Sequence, residues 1–163
     1  MEKVGKYCAR SLQIIFIALT SLITSCSIPK VIVYEDPLTA MEHNDLGVVY
    51  EKKGLLDMAE KEYRKAIKKD STWYLPYFNL GNVYYKKRAL DKAFELYKKA
   101  LEIEEHPDVL NNIAYVLYEK GDYTEALKFI EKAITIEKKD AYIDTYDKIK
   151  EKINPPRREE KGY

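Results

Sequence analysis

The chain has 163 residues, 34% of them charged, with 28 Lys and Arg against 27 Asp and Glu, so its formal net charge is +1. That balance, with no basic stripe, excludes the electrostatic footprint of a nucleic-acid binder. Two Cys and two His, with no Cys/His cluster and no Gly-rich phosphate loop, exclude a disulfide framework and leave little for metal or nucleophilic chemistry.

Lys3, Lys6 and Arg10 form a basic head, and Leu12 to Ile23 follows as an apolar run in which only Gln13, Thr20 and Ser21 are polar. The run is shorter than the ~20 residues a spanning helix needs and has the length of an export-signal core. It ends in Ile23-Thr24-Ser25-Cys26. Read from the residues alone, Cys26 closes a signal or an anchor segment. The order aliphatic, small, small, Cys resembles a bacterial lipobox. That resemblance implies a lipoprotein signal peptide over 1–25, cleavage before Cys26 and a lipid on its thiol, with no cofactor beyond that covalent lipid. Several acyl chains, at about 0.8 kcal/mol per buried methylene, hold a protein at a membrane. Cys8 departs with the leader, so no disulfide is expected. Ser27 is compatible, by resemblance to enterobacterial lipoproteins, with an outer-membrane location facing the periplasm. In a cell without an outer membrane the expected place is the outer face of the cytoplasmic membrane.

From Cys26 to Asp36 the chain carries Pro29 and the β-prone Val31-Ile32-Val33-Tyr34 without helical periodicity. An extended tether reaching about 30 Å, at 3.3 Å per residue, is one reading. Packing along the first repeat, or pairing with a sheet edge of a partner, is the other.

A domain is predicted over 37–153. Asp36-Pro37 and Thr39 to Glu42 offer an N-cap, a first-turn Pro and a capping box, placing the first helix start between Pro37 and Ala40. A pattern then appears three times. Leu46-Gly47, Tyr50, Ala59, Tyr63 and Ala66 return as Leu80-Gly81, Tyr84, Ala93, Tyr97 and Ala100, and again as Ile113-Ala114, Leu117, Ala126, Ile130 and Ala133. Apolar residues three and four apart make each copy helical, and turns at Gly54, Arg88 and Gly121 divide each into two antiparallel helices. Small residues on both helices allow a close crossing; Gly inside a helix costs about 1 kcal/mol relative to Ala, so Gly47 and Gly81 point to a packing requirement. Leu56 to Lys69 is the second helix of the first copy. Asp70-Ser71-Thr72 is expected to cap the next copy, and Asp122 the last helix of the third. Pro76 and Pro107 fall in first turns, where no intrahelical donor is lost.

At these positions the chain resembles the tetratricopeptide repeat (TPR) family, through Leu-Gly-x-x-Tyr followed by Ala, an aromatic and Ala at fixed spacing. The resemblance implies an all-α solenoid of three helix pairs, with repeats at about 40–73, 74–106 and 107–140. The family's large first-helix aromatic is His43, Tyr77 and Leu110 here, and its closing Pro is Ser71, Glu105 and Lys138. Arg88 replaces the turn Gly and puts the usual left-handed turn in doubt there.

Beyond Ala133 the repeat does not restart. Tyr142, Tyr146, Ile149 and Ile153 still keep one apolar stripe opposite Asp144, Asp147, Lys150 and Glu151, which suits a capping helix over 140–153 closing the last face of the stack. Asn154-Pro155-Pro156 ends it, and 154–163 is polar enough for a disordered tail.

His43 is read as a packing residue and His106 as a turn residue. Carboxylates are expected on helix surfaces beside bases, as Glu60 beside Arg64 and Glu131 beside Lys128. No enzyme activity, metal or small-molecule substrate is expected. The resemblance implies a concave groove formed by the stacked first helices. Its lining would be Met41, Asn44, Val48 and Lys52 from the first repeat, Leu75, Phe78, Asn82 and Tyr85 from the second, and Asp108, Asn111, Tyr115 and Tyr118 from the third. Tyr anchors beside amides suit a protein or peptide partner; the bland alternative is that Tyr85 or Tyr118 only packs between helices. Co-chaperone members of the family grip a terminal carboxylate with Lys, Asn, Asn, Lys and Arg. The aligned residues here are Asn44, Val48, Asn79, Asp108 and Asn112, so only Asn79 matches and a carboxylate clamp is not expected. The implied function is a membrane-anchored adaptor of the bacterial cell envelope, comparable to small TPR lipoproteins such as pilotins. The rivals are a self-associating structural lipoprotein and a non-catalytic accessory subunit of an envelope enzyme.

Overall fold

A computed structural model describes residues 36–155. The leader, Cys26, the tether up to residue 35 and the tail from 156 onward lie outside the described residues. Among those described there are seven helices and no strand: α1 Ala40–Lys52, α2 Leu56–Lys69, α3 Tyr74–Lys86, α4 Leu90–Ile103, α5 Pro107–Lys120, α6 Tyr123–Ile136 and α7 Asp140–Ile153. They pack as the hairpins α1/α2, α3/α4 and α5/α6, each hairpin resting on the next, and α7 closes the stack against α6 and α5. This is an all-α helical repeat.

Each hairpin turns by the same device. Leu55, Ala89 and Asp122 each donate a backbone N–H, at 2.9 Å, to the carbonyl five residues earlier, at Tyr50, Tyr84 and Leu117. The residue before the donor is left-handed: Gly54 at φ 74°, Arg88 at φ 61° and Gly121 at φ 88°. This double closure uses carbonyls that the helix end would otherwise leave unsatisfied. The doubt that the sequence raised at Arg88 is thus corrected: the turn hydrogen bonds impose the left-handed conformation, although a side chain is strained there.

The start signals are partly reassigned. Thr39 caps α1 through a full capping box with Glu42, while Pro37 lies ahead of the first turn. Asp70 does not cap α3; its carboxylate accepts from Thr72 N–H and Oγ1 within the connecting turn, and Trp73 holds the N-cap position without a side-chain bond. Asp122 stands at the N-cap of α6 but makes no capping bond. His106 caps α5, its Nδ1 accepting from Asp108 N–H at 3.2 Å, and its ring stacks on Tyr74 at 5.3 Å.

The core lies within and between hairpins. Ala59, Ala93 and Ala126 are fully buried, as are Tyr63 and Ile130, with Tyr97 almost so. Gly47 and Gly81 have their reason here. A β-carbon at Gly47 would lie 2.5 Å from Tyr63 Cε1, and one at Gly81 would lie 2.4 Å from Tyr97 Cε1. In the third hairpin the repeat positions are Ala114 and Ile130, both fully buried, so a slimmer partner accompanies the larger small residue.

Candidate groove on the first-helix face

The first helices of the three hairpins are tied side by side through amides. Asn79 Nδ2 on α3 donates to Asn44 Oδ1 on α1 at 2.9 Å, and Asn112 Nδ2 on α5 donates to Asn82 Oδ1 on α3 at 2.9 Å. Between α3 and α5 this face opens into a cavity of about 310 Å³ lined by Asn82, Tyr85, Asn111 and Tyr115, with Glu51, Lys86, Tyr97 and Asn112. Its floor is Tyr97, whose hydroxyl donates to Asn82 Oδ1 at 2.7 Å. Burial pushes the Tyr97 hydroxyl far above its ordinary pKa, so it stays a neutral donor.

Aromatic rings continue along the face. Tyr85 meets Tyr115 edge to face at 5.8 Å, Tyr115 lies 6.1 Å from Tyr118, and Tyr118 lies 5.6 Å from Tyr123. Lys148 Nζ of α7 sits 5.8 Å from the centre of the Tyr115 ring. The charge of Lys86, one of the lining residues, is met within the chain. Lys86 Nζ donates to Glu51 Oε1 at 2.7 Å, and Glu51 Oε2 accepts from the buried Tyr63 hydroxyl, also at 2.7 Å.

Four of the twelve groove residues read from the sequence, Asn82, Tyr85, Asn111 and Tyr115, meet at this cavity. Phe78 is half-buried and tilts against Tyr97 at 5.9 Å, and Tyr118 is half-buried between Tyr115 and Tyr123. Val48 and Leu75 are half-buried, while Met41 and Lys52 are exposed; none of these four lines the cavity. Two expectations need correction. Asn44 is only 3% exposed, because its side chain is used in the bond from Asn79. Asp108 is turned to the capping helix, accepting from the Tyr142 hydroxyl and from Lys139 Nζ. Burial raises its carboxyl, but these bonds outweigh that and hold it below the ordinary carboxylate range. The sequence reading missed Glu51, Lys86, Tyr97 and Asn112. Glu51 replaces the predicted Lys52, one residue away on a helix that turns 100° per residue, while Lys86 joins the predicted Tyr85 at the rim.

Elsewhere, His43 is fully buried and its Nδ1 lies 2.7 Å from Glu62 Oε2. Glu62 is therefore a buried carboxylate, contrary to the surface role expected of helix acids. Burial raises its pKa, and the bonds from His43 and Lys65 bring it below its ordinary value. Glu60 and Arg64 pair at 3.2 Å as expected, whereas Lys128 pairs with Glu125 at 2.7 Å and not with Glu131. Among the described residues no group of His, Cys, Asp and Glu could hold a metal ion, and no helix is long and apolar enough to cross a membrane.

Family models described as tetratricopeptide repeat match residues 43–71, 74–107 and 107–140, more than half of the chain. The chain belongs to the tetratricopeptide repeat family. Solved TPR structures share the fold. One is the first TPR of Spaghetti (RPAP3) bound to the HSP90 peptide SRMEEVD, at a TM-score of 0.69 and 18% identity over 74% of this chain and 98% of that one. The Arabidopsis OM64 TPR domain aligns at a TM-score of 0.67 and 16% identity, over 69% of this chain and 94% of that one. The second TPR domain of human RPAP3, in complex with the HSP70 peptide SGPTIEEVD, aligns at 0.65 and 20% identity, over 68% and 94%. No curated protein matches the chain by sequence. The TPR is a protein-interaction fold.

Proposed function

We propose that this TPR array is an adaptor that receives a protein or peptide segment on its first-helix face. The observation that carries the reading is the aromatic and amide cavity between α3 and α5, where Tyr85 and Tyr115 supply large rigid contact area and Asn82 and Asn111 supply hydrogen bonding. Two of the solved relatives hold peptides, which supports the class of ligand. The grip differs from the carboxylate clamp of co-chaperone repeats: Asn79 is the matching residue, and its amide is engaged with Asn44.

The adaptor is proposed to work from a membrane in a bacterial cell envelope, fastened by lipid at Cys26. The support is the order of basic head, apolar core and Ile23-Thr24-Ser25-Cys26 in the sequence. Two experiments test the two halves. A photoreactive residue at position 115 should trap a partner in the native cell, and substitution Tyr85→Asp should abolish the adduct. Mass spectrometry of the protein purified from membranes should find an acylated N-terminal Cys26; an unmodified Cys26 in soluble material would refute the anchor.

A further inference from the structure

The later repeats show what one side of α1 lacks. Asn44 and Glu51 turn that helix's inner side to α3, where they meet Asn79 and Lys86. On the opposite side Glu42, Leu46, Val49 and Lys53 follow at i, i+4, i+7 and i+11, a single stripe at 100° per residue. The counterparts are Pro76, Leu80, Val83 and Lys87 in the second hairpin, and Val109, Ile113, Val116 and Lys120 in the third. In both, the three apolar members are buried, and α3 and α5 each pack on the second helix of the preceding hairpin. The Lys reaches an acid near the start of that same helix: Lys87 meets Asp57 at 2.6 Å, and Lys120 meets Asp91 at 2.7 Å. On α1, by contrast, Val49 is 44% exposed, Leu46 is only half-buried, and Lys53 has no ion-pair partner among the described residues. Met58, beside this end of the stack, is 46% exposed where the later hairpins carry Lys92 and Glu125.

The stripe is complementary to itself. Its acid stands toward the N-terminal end of α1, its base at the C-terminal end, and two apolar residues lie between them. Glu42 and Lys53 are equally far from its midpoint, as are Leu46 and Val49. A second α1 laid antiparallel about a two-fold axis therefore sets Glu42 against Lys53 and Leu46 against Val49, each pair occurring twice. Asp45 and Lys52, both exposed on one flank of the stripe, face each other in the same arrangement. Glu42 accepts from Thr39 through Oε2, and among the described residues its Oε1 makes no hydrogen bond. A covering helix of the kind that α2 and α4 supply fits less well. Wherever such a helix covers the stripe, the position of Glu42 is apolar, and a carboxylate buried there without a base is costly.

We infer that the open side of α1 is the interface between two copies of this chain, paired antiparallel through Glu42, Leu46, Val49 and Lys53. The interface uses the side of α1 turned away from α3, so the cavity between α3 and α5 stays open in both copies. The pair presents two such cavities to its partners.

The test places a photoreactive residue at position 49 of the full-length protein in the native cell. Irradiation should give an adduct of two copies, and mass spectrometry should map the link from position 49 of one copy to the neighbourhood of Leu46 in the other. Lys53→Glu brings like charges together twice in a two-fold interface and should lower the adduct at least about fivefold. Glu42→Lys combined with Lys53→Glu should restore it. Should that double variant fail to fold without its capping box, Lys52→Asp, which sets two acids on the same flank, should likewise lower the adduct while melting as the native protein does. An adduct to a different protein, a link within one chain to residues ahead of 36, or no adduct from folded protein would overturn the inference. So would an undiminished yield in Lys53→Glu.

Discussion

The ring of Tyr97 fills the space that a β-carbon on residue 81 would need, at 2.4 Å from its Cε1. In the third hairpin the corresponding pair is Ala114 and Ile130. The pair therefore trades volume between two helices, and the trade is testable. Gly81→Ala should destabilise by about 1–3 kcal/mol through overpacking, even though Ala is the better helix former by about 1 kcal/mol. Tyr97→Ile alone should also destabilise, losing the bond to Asn82. The double variant, which copies the third hairpin, should be more stable than the sum of the single effects by at least about 1 kcal/mol. Urea unfolding of the four proteins gives the coupling energy; strict additivity would contradict the account.

Arg88 is held at φ 61° by the turn bonds Arg88 N–H to Tyr85 and Ala89 N–H to Tyr84. Its guanidinium, two-thirds exposed, pairs with Glu119 at 2.9 Å, a contact of the kind that contributes little. Relief of backbone strain should outweigh that loss, so Arg88→Gly is expected to stabilise by roughly 0.5–1 kcal/mol. Thermal melts of the two proteins decide the sign.

Glu60 sets an acid dependence. Burial raises its carboxyl, but bonds from Lys87 Nζ at 2.7 Å, the Tyr84 hydroxyl at 2.6 Å and Arg64 pull it from 4.5 down to about 2. A carboxyl lowered on folding contributes stability above its unfolded value and loses it as pH falls toward the folded one, here between 4.5 and about 2. Across that window the native protein should lose about 1 kcal/mol more than Glu60→Gln, given the solvent access of the cluster. Parallel losses in the two proteins would remove Glu60 as the cause.

The buried His43–Glu62 pair predicts a contrast between two acids. Glu62→Ala should cost about 2–4 kcal/mol, because it removes a 2.7 Å bond to an imidazole in a closed site. Glu95→Ala, at a side chain 68% exposed, should cost less than about 0.5 kcal/mol. Chemical denaturation of both variants measures the difference.

The repeat, its hairpins and the capping helix were legible because small and large residues return in fixed order, and that order is a property of one chain segment at a time. What lay beyond reading depends on the register between segments. Whether Asn44 faces the groove or a neighbour is decided by Asn79, one hairpin away, and the neutralisation of Lys86 by Glu51 is likewise a contact across the stack. Asp108 was assigned to the groove by its repeat position, yet Tyr142 of α7 and Lys139, the residue ahead of that helix, both bond to it. Arg88 shows the remaining limit: its propensity argues against a left-handed turn, and two backbone hydrogen bonds overrule it.

The most direct test of the adaptor function compares partner recovery by native protein, Tyr115→Asp and Lys99→Asp, the last on an exposed position of α4. Crosslinked complexes are isolated from cells and the partner quantified by mass spectrometry, with melting curves confirming that all three proteins fold. The account predicts that recovery falls at least about tenfold, the equivalent of 1.4 kcal/mol, for Tyr115→Asp and is unchanged for Lys99→Asp. Equal recovery by Tyr115→Asp and the native protein would contradict it.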